Sequence, residues 1–172
     1  MRLARLIIRL ILGALFIGHG TQKLMGWFGG YGPEGTGQFF ESIGLRPGKR
    51  NAVAAGVSEA AGGALIALGL LTPVGAAMIT GSMATAIRTA HAGKGPWVTD
   101  GGWEYPLVII ATMFALTEAG PGPLSLDRLL DSEKSGIAWA LAALAAGLGG
   151  SILVTTMSED APEGAEQAAQ AA

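Results

Sequence analysis

Apolar and polar positions fall in long blocks along this chain, with near-continuous apolar runs at 3–24, 52–71, 74–90, 104–117 and 137–157 separated by polar or glycine-rich connectors. A helix takes about 20 mostly apolar residues to cross a bilayer, so the pattern predicts membrane-spanning helices, the third and fourth being short for the task. The expected fold is an all-α membrane protein: an antiparallel four-helix transmembrane bundle with an additional C-terminal fifth transmembrane helix. The bundle occupies 1–131 and the extra helix 132–157. An acidic, alanine-rich stretch without aromatics, 158–172, is expected to be disordered.

The connectors carry their own signals. Thr72-Pro73 sits where a proline suits a first helical turn, so the second and third helices should form a tight antiparallel hairpin. The long loop after the first helix holds Gln38-Phe39-Phe40-Glu41-Ser42-Ile43, a candidate short amphipathic helix lying on the membrane. Trp97 and Trp103 in the loop 93–103, with Trp27, Phe28, Tyr31 and Tyr105, have the character of an interfacial aromatic belt on that same face. Ala138, Ala142, Ala146 and Gly150 give the fifth segment a small-residue face for close packing, and with no ionisable residue it reads as structural.

Arg2, Arg5 and Arg9 recur at helical spacing as a basic stripe whose long side chains would reach lipid headgroups, favouring a cytoplasmic N-terminus. The remaining Lys and Arg are nearly balanced between the two sides and add little. The basic start followed by an apolar run also resembles a secretory signal, but no small-x-small cleavage pattern follows and further apolar segments do, so the run is read as a retained helix.

Composition narrows the chemistry. Of 172 residues, 50% are hydrophobic and 14% charged, and there is no cysteine. Disulfide relays, thiolate-held iron–sulfur clusters, zinc ribbons and thiol nucleophiles are thereby excluded, and any redox role needs a bound cofactor or a partner's thiols. No basic patch suggests nucleic acid.

Against this background seven polar side chains stand out: His19, Gln22, Lys23, Glu59, Arg88, His91 and Glu104. If the helices alternate in direction, all seven fall near one membrane face. His19, Gln22 and Lys23 share a helical face at i, i+3 and i+4. Glu59 lies roughly 10 Å into the membrane from the same side, at 1.5 Å per residue. The following Ala60-Ala61-Gly62-Gly63 lets helices approach and should enclose the carboxylate. An ionisable group in hydrocarbon costs a few kcal/mol or more, so such groups pair with one another or line a cavity. Glu59 and Glu104 can balance Lys23 and Arg88. Structural salt bridges alone are one reading of the group, with Lys23 snorkelling and the histidines bonding across helices. A two-histidine haem, or zinc or iron on His19, Glu59, His91 and Glu104, is chemically allowed but has no supporting ligand spacing. Gly30-Tyr31-Gly32-Pro33-Glu34-Gly35 matches G-x-G-x-x-G, yet it lacks a strand–turn–helix setting and is read as a flexible external loop.

The stretch 18–30, GHGTQKLMGWFGG, resembles the HGxQKLxGWFGG signature of the DoxX family of small membrane proteins. Agreement extends through Glu59-Ala60-Ala61-Gly62-Gly63, His91, the stretch 101–107 and Ser125-Leu126-Asp127, about three quarters of the chain. The resemblance implies a four-helix core, a cytoplasmic N-terminus and a loose oxidoreductase label drawn from relatives linked to quinone and thiol chemistry. The fifth helix and the acidic tail depart from the family pattern.

The residues and the resemblance together lead to one main expectation: a redox-associated subunit of a bacterial plasma membrane, with a polar pocket for a quinone-like carrier. His19, Glu59 and His91 would handle protons, since imidazoles titrate near neutral pH and buried carboxyls can be brought there. Gln22, Lys23, Trp27, Arg88, Trp103, Glu104 and Tyr105 would contact the ligand. The competing expectation is a non-catalytic scaffold in the bilayer that recruits a soluble redox partner through its external loops. A small transporter is a weaker fit, because no inverted repeat of broken helices is evident.

Overall fold

The architecture follows from small residues on facing helices. In the computed structural model, which describes residues 2–159, every regular element is helical. The helices are α1 (Arg2–Met25), α2 (Gly32–Ser42), α3 (Gly48–Leu68), α4 (Thr72–Ala86), α5 (Glu104–Ala119), α6 (Leu126–Leu129) and α7 (Ile137–Glu159). Among the described residues Leu3–Met25, Gly48–Leu68 and Ile137–Ser158 are each long and apolar enough to cross a membrane. Their outer faces carry exposed Leu3, Ile7, Ile11, Leu148 and Leu153, a surface suited to hydrocarbon. The segment expected to be disordered lies outside the described residues from 160 onward.

Antiparallel α1 and α3 make the closest contact. Gly13 packs on Gly63 and Ala67, and Gly20 on Gly56 and Ala60. A Cβ at Gly63 would lie 2.7 Å from the Gly13 carbonyl oxygen, and one at Gly20 2.6 Å from the Ala60 Cβ. Close backbone approach of this kind supplies the dispersion contact that holds helices together in lipid, where burial from water is no longer a driving force. The hairpin α3–α4 turns at Gly69, Leu70 and Leu71, and α4 continues through a π-helical turn at Ile87–His91. Phe16, Ile66, Ile79, Ile109, Met113 and Leu116 fill the core between α1, α3, α4 and α5.

The end of the bundle bearing the α1 N-terminus is locked by buried charge. Arg9, expected in a stripe reaching headgroups, is instead 1% exposed. Its guanidinium donates to the carbonyls of Ile66, Ala67, Pro121 and Leu124 at 2.8–3.0 Å. Two of those belong to the last turn of α3, whose carbonyls have no intrahelical partner. Asp127, also 1% exposed, accepts from the Leu71 and Thr72 nitrogens and the Thr72 hydroxyl at the start of α4. A cation on the C-terminus of one helix and an anion on the N-terminus of the next thus clamp both sides of one turn, in accord with the helix dipoles. Arg5 likewise turns inward, to the carbonyls of Ala119 and Gly120. The stripe expectation failed because helical spacing shows which residues share a face but not what covers that face.

Two further expectations are corrected. The glycine-rich segment read as a flexible loop begins α2: Pro33 and Glu34 occupy its first turn, where a fixed φ and a negative charge both favour a helix N-terminus. Lys49 ties α2 to α3 through Glu34, and its hydrogen bond, the main cause, holds the Glu34 carboxyl below the ordinary range. On α7 the face of Ala138, Ala142, Ala146 and Gly150 is exposed. The packed face is Ala140, Ala143, Gly147, Ser151, Thr155 and Ser158, running parallel to α4. Gly147 sits against Thr80, Ser151 accepts from Thr85 at 3.1 Å, and Thr155 accepts from Arg88 at 3.1 Å. Small hydroxyl residues matched to α4 won over an equally regular stripe of alanine and glycine.

The α1–α3 seam gives a direct test. Gly63→Leu is expected to lower stability by about 1–3 kcal/mol through overpacking, seen as a reduced melting temperature in detergent. Gly18→Ala, where an added Cβ meets nothing within 4 Å, should melt at or above the wild-type temperature. Equal melting of Gly63→Leu and wild type would show that the seam is not tight.

Candidate functional site

Glu59 is the deepest acid at the other end of the bundle. It is 4% exposed, and both carboxylate oxygens are engaged: Lys23 Nζ lies 2.6 Å from Oε2 and the Ser82 hydroxyl donates to Oε1 at 2.8 Å. Three helices converge on one carboxylate. The Gly20–Gly56 contact carries Lys23 on α1 to within reach of α3, and the α3–α4 hairpin sets Ser82 opposite Glu59, the two being equally far in sequence from Leu70–Leu71. A buried ion pair is tolerable only with this close geometry and a further donor on the free lone pairs.

Beside this triad lies a cavity of about 710 Å³. Its walls come from α1, α2, α3, α4, α7 and the first turn of α5. His19, Lys23, Glu59, His91 and Tyr105 line it, together with Phe39 and Phe40 of α2. The volume falls in the range typical of small-molecule sites, about 300–1,000 Å³.

The two histidines have defined roles in hydrogen bonding. Gln22 Nε2 donates to the Phe28 carbonyl at 3.3 Å, which turns Gln22 Oε1 toward His19 Nδ1 at 3.1 Å. His91 Nδ1 lies 2.6 Å from the Gly101 carbonyl. A carbonyl oxygen only accepts, so each Nδ1 carries the proton, and in the neutral ring Nε2 is the acceptor.

The remaining polar residues serve other purposes. Glu104 accepts from the Val98 nitrogen at 2.8 Å and, with His91, fixes the loop 93–103. Arg88 donates to Thr155 on α7. Gln22, Trp27, Arg88, Trp103 and Glu104 lie at the same end of the bundle but outside the cavity lining, so the seven residues do not form one charge cluster. Among the described residues no group of three His, Asp or Glu side chains could hold a metal.

Sequence reasoning passed over Ser82, Asn51 and the aromatic pair of α2 as cavity residues. Ser82 was accessible by counting outward from the hairpin turn. The contribution of α2 was not, because its length depends on a start at Gly32 that the glycine-rich composition disguised.

The DoxX family model matches residues 4–92. The chain belongs to the DoxX family. This DoxX protein is 34% identical over 129 residues to Putative oxidoreductase CatD of Bacillus subtilis, covering 75% of the present chain and 88% of CatD. An uncharacterised membrane protein of Mycobacterium tuberculosis, Rv3486, is 33% identical over 139 residues, 74% of this chain and 82% of its own. A Haemophilus influenzae protein is 32% identical over 136 residues, 78% of this chain and 87% of its own. No solved structure matches the DoxX chain.

The ion pair makes a prediction. Lys23→Met leaves a buried carboxylate without its cation and is expected to cost about 3–5 kcal/mol, with most of that loss recovered in Lys23→Met/Glu59→Gln. Melting temperatures of the two variants check this double-mutant logic. A Lys23→Met single variant as stable as wild type would show that the pair imposes no constraint.

Proposed function

We propose that this DoxX protein is a redox-associated membrane subunit whose cavity binds a quinone-like carrier. The observation that carries the reading is a buried carboxylate with both oxygens hydrogen-bonded, on the wall of a cavity large enough for such a ligand, with two histidines also lining that cavity. Lys23 and Ser82 would donate to the ring carbonyls, and His19, Glu59 and His91 would pass protons. Reducing a quinone to a quinol takes two electrons and two protons. With no cysteine in the chain, a partner's dithiol would supply both, closing to a disulfide. The oxidoreductase in the name of CatD supports the same class.

In this reading α4 and α5 also cross the bilayer, giving a bundle of four spans with α7 as a fifth. The N-terminus is cytoplasmic in a bacterial plasma membrane, and α2 and the loop 93–103 lie on the far side. A scaffold role is the second reading. Trp27, Phe28, Tyr31 and Trp97 are all more than half exposed at the end that holds the cavity, as a docking face for a soluble redox partner would require.

Titration of ubiquinone-0 into detergent-solubilised protein separates the two readings. Glu59→Gln is expected to weaken binding about tenfold, the equivalent of 1.4 kcal/mol, while remaining folded, as checked by its melting transition. Unchanged affinity in a folded variant would remove Glu59 from the site. Under the scaffold reading no quinone binds, and Trp27→Ala instead releases a copurifying partner.

A further inference from the structure

The cavity is chemically divided, and the division has a direction. One end holds Lys23, Glu59, Ser82 and His19. From there it extends between α3 and α7 with α4 as its floor. The α7 wall, Ala146 to Val154, spans roughly 12 Å at 1.5 Å per residue. This arm is faced by Ala54 and Ala55 on α3 and by Ala146, Gly150 and Val154 on α7.

Four observations say what the arm can hold. Most of its hydroxyls are engaged within the protein: Ser58 donates to the Met78 carbonyl, Thr89 to the Thr85 carbonyl and Thr85 to the Gly81 carbonyl, with the Ser151 hydroxyl 3.1 Å from that of Thr85. A polar ligand would therefore find few partners along these apolar walls, whereas a hydrocarbon needs none. Ala54, Ala146 and Gly150 are exposed, so the arm opens sideways at the surface the bundle presents to lipid. A Cβ built on Gly150 meets no atom within 4 Å, which marks open space beside the helix. The arm narrows toward the loop end, where Asn51 donates to Ser158 at 3.4 Å and joins α3 to α7.

We propose that the α3–α7 arm is the seat of the carrier's hydrocarbon tail, and that the ligand enters laterally from the bilayer with its ring leading toward Glu59. The assignment rests on the quinone reading above for the ring and adds the tail site and the entry route. It gives α7, which lies beyond the family-matched residues 4–92, a part in the site as one wall of the arm.

The absence of native cysteine makes the test clean, since any introduced thiol is the sole reactive one. Gly150→Cys and Ala54→Cys, on opposite walls, are treated in lipid-free detergent with N-ethylmaleimide alone, with ubiquinone-0 and with decylubiquinone. Ligand at about ten times its dissociation constant should slow modification about tenfold where it covers the thiol. Decylubiquinone is expected to protect both cysteines to that extent, and tailless ubiquinone-0 to protect neither by more than about twofold.

Equal protection by the two quinones, or none by decylubiquinone while ubiquinone-0 still binds by titration, overturns the tail site and leaves the ring site standing. If neither quinone binds, both readings fall. Unreactive cysteines in unliganded, folded protein would show the arm closed and overturn lateral entry. Protection by added dioleoyl phosphatidylglycerol equal to that by decylubiquinone would assign the arm to bilayer lipid and overturn its assignment to the carrier.

Discussion

Most of this structure can be traced to the need to satisfy a carboxylate inside a membrane bundle. Glu59 is withdrawn almost completely from solvent, so a cation and a donor have to be brought to it by other helices. The cation arrives because glycines at 13, 20, 56 and 63 let α1 and α3 touch backbone to backbone. The donor arrives because a short turn after Leu68 folds α4 back in register. That turn is in turn held by Arg9 on its carbonyl side and Asp127 on its N–H side. Charge at one end of the bundle therefore fixes the geometry of charge at the other.

The two ends are satisfied differently, and the difference bears on function. Arg9 bonds to backbone carbonyls and Asp127 to two backbone nitrogens and two hydroxyls, an arrangement suited to rigidity. Lys23, Glu59 and Ser82 bond side chain to side chain and stand on the wall of a large space. Side-chain partners can be exchanged for a ligand's carbonyls without unravelling a helix end, whereas backbone partners cannot. The proposed ligand meets the end where the polar groups can trade partners.

Much of this was legible in the sequence because it depends on periodicity and direction. Alternating helices place His19, Glu59, His91 and Glu104 at one end, and the small residues after Glu59 indicate enclosure. What was not legible depends on which surface covers which. Arg9 has the spacing of a headgroup-facing residue and is buried by the connector around Pro121–Leu124. The stripe containing Ala142 and the stripe containing Gly147 are equally regular, and only the threonines of α4 decide between them. Counting charge without geometry groups Glu104 and Arg88 with Glu59 as one balanced cluster. One serves a loop and the other α7.

The central claim is that the space beside Glu59 is a binding site for a lipophilic carrier. The most direct test is mass spectrometry of everything retained when the wild-type protein is extracted with its surrounding bilayer. A quinone recovered in near-equal amount to the protein, above its share in bulk lipid, is what the account predicts. Bilayer lipids with a tightly held soluble protein and no carrier would contradict it, and would make the exposed aromatic end a docking face instead.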